Sequence, residues 1–151
     1  MSYTLVPLSN TKPIFSVLED ATLFGKADFT AEEESLQREA ALLGVAPAIH
    51  STISHNGRPV LLMKRIEGMS LADFYGEDDV PYTAWRQVRE ILSRLWCIGI
   101  EYQDITPYNF MIEPESGKVW VVDFGHARRV AMCPALKGIL NGGSVWNAEY
   151  R

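Results

Sequence analysis

The segment YQDITPYNFMIEPESGKVWVVDFG, residues 102–125, is the most informative part of this sequence about its fold. It contains two short apolar runs separated by a turn that holds Pro114 and Gly117, which is the pattern of a β-hairpin. Pairing the two runs brings Asn109 and Asp123 together at the open end of the hairpin. An amide oxygen and a carboxylate are hard ligands of the kind that Mg²⁺ prefers. The hairpin therefore predicts a metal site at Asn109 and Asp123.

Asp104 precedes Asn109 by five residues, and Asp123-Phe124-Gly125 follows the hairpin. In order and spacing this segment resembles the signature of the protein-kinase superfamily, in which a loop Asp orients the attacking hydroxyl and an Asn and the Asp of D-F-G hold metal ions. The resemblance covers roughly residues 13 to 130. It implies a phosphotransferase that uses ATP and Mg²⁺, with Asp104 as catalytic base and Asn109 and Asp123 as metal ligands.

A helix is predicted from residue 31 to residue 43. Thr30 can cap it, with Glu33 three residues further on, and Gly44 ends it. One apolar stripe runs along this helix, formed by Leu36, Ala40 and Leu43.

The kinase resemblance implies that Glu39, on this helix, pairs with Lys26 and that Lys26 contacts the α- and β-phosphates of ATP. The separation of Lys26 and Glu39 is shorter than in most protein kinases. Lys26 is also compatible with a solvated strand lysine. The run of acids at residues 32–34 is explained by the preference of a helix start for negative charge and by a solvated face.

The segment from Pro59 to Leu71 resembles the strand, hinge and short helix that carry adenine in kinases. By this alignment Met63 is the gatekeeper, the backbone of Lys64 and Ile66 bonds adenine, and Met111 lies beneath the ring. Both methionines are equally compatible with core packing, because a flexible thioether fills gaps in most cores.

Three departures from the kinase pattern set expectations about activity and control. The turn at residues 8–13 has no glycine where kinases cover the phosphates with a glycine-rich loop, so we expect a looser grip on phosphate. Tyr102-Gln103 replaces the usual His-Arg, so control by activation-loop phosphorylation is not expected, and Thr106 replaces a common lysine. At Thr106, and in lacking the arginine, the chain looks more like small atypical kinases, such as the KEOPS-complex kinase, the RIO group and aminoglycoside phosphotransferases.

Composition bounds the class of protein. The chain has 151 residues, 47% of them apolar, which suffices for one domain with one good core. Its net charge of −5 and the lack of a basic stripe argue against a nucleic-acid surface. No apolar run reaches membrane-spanning length and no secretory leader is evident, so we expect a soluble intracellular protein, cytoplasmic or nuclear. Cys97 and Cys133 are expected to be reduced thiols.

The predicted fold is α+β and kinase-like: a mostly antiparallel sheet with one helix, a helical part behind it, and nucleotide in the cleft between them. We expect one minimal domain over residues 1–151, with a first lobe at residues 1–66 and a truncated second lobe at residues 67–151. A long helix is predicted from Tyr82 to about Ile98. The predicted strands lie near residues 3–7, 13–18, 21–27, 49–55 and 59–66.

The 26 residues after Gly125 have no Ala-Pro-Glu motif, so we expect that most of the peptide-binding platform of a kinase is missing. A short helix is predicted at residues 135–140. Trp146 and Tyr150 are expected either to dock on the core or to meet a partner subunit, including a second copy of the chain in a homodimer.

Two functional hypotheses from different classes remain. The first is a minimal atypical Ser/Thr kinase that phosphorylates a protein, which the intact Asp104, Asn109 and Asp123 favour. The second is a pseudokinase that binds nucleotide or a partner, which the glycine-free turn and short C-terminus favour. An aminoglycoside or small-metabolite phosphotransferase is the weaker third reading, because those enzymes also build the acceptor pocket from additional helices.

Overall fold

A computed structural model describes residues 2–131 of the chain. Its first half is an antiparallel sheet of five strands, in the order β1-β2-β3-β5-β4. The strands are β1 (Leu5–Pro7), β2 (Ile14–Val17), β3 (Leu23–Lys26), β4 (Ile49–His55) and β5 (Arg58–Lys64). The five predicted strands are thus confirmed, most of them one or two residues shorter than predicted. The turn between β4 and β5 is Asn56-Gly57, whose positive φ values of 53° and 77° suit a tight hairpin.

Helix α1 (Ala31–Leu42) lies between β3 and β4 in the chain. The hydroxyl of Thr30 accepts a hydrogen bond of 3.0 Å from the backbone N–H of Glu33, so the predicted N-cap is confirmed. The helix ends at Leu42, and Gly44, two residues further on, has a φ of 75°, in the left-handed region that terminates helices. Its buried residues are Glu33, Leu36, Gln37 and Ala40.

Helix α3 (Tyr82–Cys97) is the long helix that the sequence predicted, and it buries one apolar stripe against the core. It ends at Gly99, which has a φ of 82°. A Cβ atom built on Gly99 would lie 2.9 Å from the carbonyl oxygen of Val130. Glycine is therefore required there both by backbone conformation and by the close approach of the residue 130 backbone.

Two small sheets complete the described fold. β6 (Met69–Ser70), β8 (Phe110–Ile112) and β9 (Val119–Val121) form an antiparallel sheet, and the short helix α2 (Leu71–Tyr75) follows β6. The second sheet joins β7 (Ile100–Tyr102) to β10 (Ala127–Arg129). The sequence predicted the β8–β9 hairpin but not the β7–β10 pair, because three-residue strands far apart in sequence leave no turn signal.

The buried apolar side chains form two clusters. The smaller cluster lies in the five-stranded sheet and contains Leu5, Val17, Leu23, Ala27, Val60 and Leu62. The larger one joins α3 and the two small sheets, and it also includes Leu36 and Ala40 of α1. Although α1 precedes residue 66, its apolar face packs into the larger core. The division at residues 66 and 67 stays a prediction.

Several expectations concern residues outside the described part of the chain. The helix at residues 135–140, the aromatic residues Trp146 and Tyr150, and Cys133 all lie beyond residue 131. Within residues 2–131, Cys97 is an exposed free thiol. In that same range no helix combines the length and the apolar character needed to cross a bilayer.

Candidate active site

The buried side chain of Tyr102 joins the end of β7 to the segment after β9. Its hydroxyl donates to the carbonyl oxygens of Val122 at 2.6 Å and Asp123 at 2.9 Å. Burial raises the pKa of Tyr102 well above its usual value, and the charges of Asp123 and Asp104 raise it further. The hydroxyl is therefore a permanent donor that fixes the backbone on which Asp123 stands.

Removing the Tyr102 hydroxyl should destabilise the fold measurably. Tyr102→Phe leaves two carbonyl groups without this buried donor, and such a loss costs about 1 to 3 kcal/mol. Thermal or urea unfolding measures the change. As a matched control, Tyr82→Phe at an exposed position should stay within about 0.5 kcal/mol of wild type. Equal stability of the two variants would show that the Tyr102 hydroxyl has no structural role.

Asp104 and Asn109 contact each other directly. The side-chain nitrogen of Asn109 donates to Oδ2 of Asp104 at 2.7 Å and to the Asp104 carbonyl oxygen at 2.9 Å. The Asn109 carbonyl in turn accepts the backbone N–H of Val122 at 2.9 Å. These contacts hold Asp104 at the open end of the β8–β9 hairpin. Because its nitrogen faces Asp104, the amide oxygen Oδ1 of Asn109 remains as a possible metal ligand.

Asp123 lies two residues after the second strand of the hairpin, and its backbone is in the left-handed region, with φ at 63°. Such a conformation is uncommon for a residue other than glycine and is often found at functional sites. Its Oδ1 accepts the Gly125 backbone N–H at 3.1 Å. A Cβ on Gly125 would lie 3.2 Å from that oxygen, so glycine leaves room for the carboxylate.

Lys26, on β3, reaches two carboxylates. Its ammonium forms a close ion pair with Glu33 and lies 3.5 Å from Oδ1 of Asp123. The carboxylate of Glu33 is almost fully buried, with 6% of its side chain exposed. Lys26 therefore connects the five-stranded sheet, helix α1 and the segment of Asp123.

The predicted pairing of Lys26 with Glu39 is wrong. On a helix with about 3.6 residues per turn, six positions place Glu39 about 120° away from Glu33 around the axis. Glu39 consequently points away from Lys26 and pairs with Arg129 of β10 instead, and the hydrogen bonds from Arg129 lower the pKa of Glu39. The sequence did indicate that Glu33 faces the core. It lies three and seven residues before the buried Leu36 and Ala40, and this spacing places it on the same face of α1.

The residues predicted around adenine lie on β5, the segment after it and β8. Met63 is buried, and its sulfur accepts a 3.4 Å hydrogen bond from the buried side-chain amide of Gln37, which also donates to the Pro47 carbonyl at 3.0 Å. Gln37 was not singled out in the sequence because glutamine is mostly found exposed.

The backbone of the predicted hinge is partly committed to other contacts. The Lys64 N–H donates to the Ala48 carbonyl at 2.8 Å, and the Ile66 carbonyl accepts from Gly68 at 3.0 Å. The groups predicted to bond adenine would then be the carbonyl of Lys64 and the N–H of Ile66. Met111 is half-buried and points to the face of β8 opposite to the buried Phe110 and Ile112.

The glycine-free turn between β1 and β2 is held by a serine side chain. The hydroxyl of Ser9 accepts the backbone N–H groups of Thr11 and Lys12, each at 3.1 Å. Backbone N–H groups are what a glycine-rich loop offers to phosphate. In this chain two of them are already bonded within the loop.

The side-chain oxygen atoms at the site suit a magnesium ion that is also bound by the phosphates of a substrate. Among residues 2–131 no group of three or more His, Cys, Asp or Glu side chains could hold a metal by itself. Mg²⁺ bound with a nucleotide usually takes only one or two protein oxygens, the remaining ligands being phosphates and water. Oδ1 of Asn109 and the carboxylate of Asp123 match that requirement.

Comparison with known proteins identifies the fold. No protein-family model matches the chain. The 3-deoxy-D-manno-octulosonic acid kinase of Xylella fastidiosa (strain M12) is 29% identical over 80 residues, which are 53% of this chain and 31% of that protein. The EKC/KEOPS complex subunit BUD32 of Encephalitozoon cuniculi (strain GB-M1) is 29% identical over 97 residues, 64% of this chain and 46% of the relative. The chain thus spans less than half the length of these curated relatives.

A solved kinase structure has a similar fold over most of this chain. The Cydia pomonella granulovirus kinase PK-1 matches with a TM-score of 0.63 at 17% identity, over 85% of this chain and 53% of the viral chain. The chain has a protein-kinase-like fold. The predicted α+β kinase-like class and the resemblance to the protein-kinase superfamily are both confirmed. The kinase-like fold explains why Lys26, which is distant in sequence, comes within 3.5 Å of Asp123 beside the hairpin that follows Asp104.

Proposed function

We propose that this kinase-like chain is an ATP-dependent phosphotransferase that transfers a phosphoryl group to an alcohol. The observation that carries the proposal is the convergence of two groups of side chains. The first is Asp104 with Asn109, and the second is Lys26 with Glu33 and Asp123. The similarity to a 3-deoxy-D-manno-octulosonic acid kinase, 29% identical over 80 residues, supports it.

Each side chain has a role that follows from its contacts. Asn109 holds Asp104 through Oδ2, so Oδ1 of Asp104 is free to orient the acceptor hydroxyl and take its proton. Lys26, held by Glu33, would bond the α- and β-phosphates. Oδ1 of Asn109 and the Asp123 carboxylate would hold Mg²⁺, which when bound neutralises charge on the phosphates.

Adenine would lie between the sheet and β8. The carbonyl of Lys64 and the N–H of Ile66 would bond its edge, with Met63 behind it and Met111 beneath it. In this arrangement Met63 is positioned by the buried amide of Gln37.

The nature of the acceptor distinguishes two versions of this proposal. We favour a Ser/Thr hydroxyl of a protein as the acceptor. The alternative is a carbohydrate hydroxyl, which is supported by a matched relative that is named for a sugar-acid substrate. Incubation with γ-labelled ATP separates the two when phosphopeptides are mapped and a panel of sugars is tested in parallel. Label on Ser or Thr supports the protein acceptor, and label found only on a sugar replaces it.

A pseudokinase that works through a partner is the competing proposal. The Ser9 hydroxyl occupies two amides of the phosphate-covering turn, which favours weak binding of ATP. One matched relative is a subunit of the EKC/KEOPS complex, which supports a partner subunit for this chain. A homodimer is a further possibility, and size-exclusion chromatography with light scattering distinguishes these states.

Substitution of each glutamate tests which one serves Lys26. Glu33→Gln removes a buried charged partner, and losing a charge-assisted hydrogen bond of about 1.5 to 3 kcal/mol should weaken Mg-ATP binding about 10-fold or more. Glu39→Gln removes only a surface ion pair and should weaken it by about 5-fold at most. Isothermal titration calorimetry gives both dissociation constants. A larger effect at Glu39 than at Glu33 would restore the original assignment.

A further inference from the structure

Glu39 forms an ion pair that the proposed chemistry does not use. Both terminal nitrogens of Arg129 donate to its carboxylate, one to each oxygen, and the NH1–Oε1 distance is 3.1 Å. Two parallel N–H···O bonds to a carboxylate are the strongest and most directional form of this pair. The pair is partly exposed, with 36% of the Glu39 and 45% of the Arg129 side chain accessible.

The two partners stand on elements that belong to different parts of the site. Glu39 lies on α1, the helix whose first turn carries Glu33 and thereby holds Lys26. Arg129 lies on β10, four residues after Gly125, and is opposite Ile100 in the β7–β10 ladder. The same ladder pairs Ala127 with Tyr102.

A continuous set of contacts therefore runs from α1 to the residues proposed to react. Arg129 fixes α1 on β10, β10 pairs with β7, and β7 ends at Tyr102, whose hydroxyl bonds the carbonyl of Asp123. Any rotation of α1 that separated Glu39 from Arg129 would also move Glu33 relative to Lys26, because a helix turns as a rigid body.

We propose that Arg129 and Glu39 are positioning residues, and that their ion pair holds α1 on β10 in the orientation in which Glu33 meets Lys26. The part of this inference that concerns nucleotide rests on the proposed function. An exposed pair is worth about 0.2 to 1 kcal/mol, which corresponds to a change of about 1.5- to 5-fold. The pair thus adjusts the position of α1 and does not determine whether the protein folds.

The neighbouring arginine provides a matched control. Arg128 donates to Glu101 at 2.8 Å, a pair that connects β10 to β7 and does not reach α1. Arg128→Gln and Arg129→Gln therefore remove the same charge from adjacent residues, and only the Arg129 substitution removes an ion pair with α1.

Hydrogen exchange of the α1 amides, measured without nucleotide, decides the inference. We expect exchange of α1 to be about 1.5- to 5-fold faster in Arg129→Gln than in Arg128→Gln, with α3 exchanging equally in both. If α1 exchanges no faster in Arg129→Gln than in the control, the proposal is overturned. If Arg129→Gln does not fold, Glu39→Gln removes the other partner of the same pair. The hydrogen exchange of its α1 amides is then compared with that of Arg128→Gln.

Swapping the two charged residues between α1 and β10 distinguishes a positioning role from a general loss of stability. The double variant Glu39→Arg with Arg129→Glu can form the pair in reverse, so it should recover slow α1 exchange relative to either single reversal. Failure of this recovery overturns the proposal. Mg-ATP affinity is measured on the same proteins and should fall with faster α1 exchange. If wild type binds no Mg-ATP, the proposed function fails while the exchange data still decide whether the pair positions α1.

Discussion

Asp104→Ala is expected to lower the rate of phosphoryl transfer or ATP hydrolysis by at least about 100-fold while ATP affinity stays within a few-fold of wild type. General-base contributions are typically about 100- to 10,000-fold. Binding should be spared because Asn109 still has the backbone carbonyl of residue 104 as a 2.9 Å acceptor when the carboxylate is removed. The measurements are turnover with labelled ATP and calorimetric titration with Mg-ATP.

The control for this variant is Asp78→Ala, at an exposed position after α2, which should keep wild-type turnover. The informative comparison is between wild type and Asp104→Ala when both bind ATP. The same residual turnover in the two proteins would contradict the catalytic role of Asp104. The pseudokinase proposal would then be the better account of the chain.

Asp123→Asn is expected to abolish most of the magnesium-dependent stabilisation by ATP. Ligand at about 100 times its dissociation constant stabilises a protein by roughly 2.7 kcal/mol, a melting shift of several degrees for a chain of this size. The substitution removes the charge that we propose binds Mg²⁺ and that lies 3.5 Å from Lys26. Asparagine tolerates the left-handed backbone of this position and can still accept the Gly125 N–H, so the fold should remain.

Thermal shift with ATP, with and without Mg²⁺, tests this expectation. The unliganded variant should melt close to wild type, which separates loss of the metal ligand from loss of the fold. Asp78→Asn is the matched substitution at an exposed aspartate and should retain the full shift. An equal magnesium-dependent shift in wild type and Asp123→Asn would show that Asp123 is not a metal ligand.

The sequence predicted best where a short segment contains all the information for its own structure. Thr30 caps α1 because its hydroxyl needs only the N–H three residues away. The long helix α3 follows from an apolar stripe that recurs within the helix itself. The β8–β9 hairpin follows from two apolar runs around a turn, and its pairing places Asn109 next to Val122.

The sequence did not predict contacts between residues that lie far apart in the chain. The β7–β10 pair joins residues about 25 positions apart, and nothing local specifies that Arg129 lies opposite Ile100. The side-chain amide of Gln37 is buried only because Pro47 and Met63 come together behind α1. A buried polar group of this kind is explained by partners that are distant in sequence.

The cap of α1, the apolar stripe of α3 and the β8–β9 hairpin with Asn109 and Asp123 at its open end were predictable from the sequence, because caps, turns and apolar periods act over a few residues. The glutamate that pairs with Lys26 was not, because that pairing depends on how α1 packs on the sheet. Glu33 and Glu39 lie on the same helix, and although the spacing of Glu33 from Leu36 and Ala40 favours burial, the sequence does not specify on which side of the helix Lys26 lies. The two residues lie at different angles around α1. As α1 packs on the core, Glu33 is buried beside Lys26 and Glu39 lies beside Arg129.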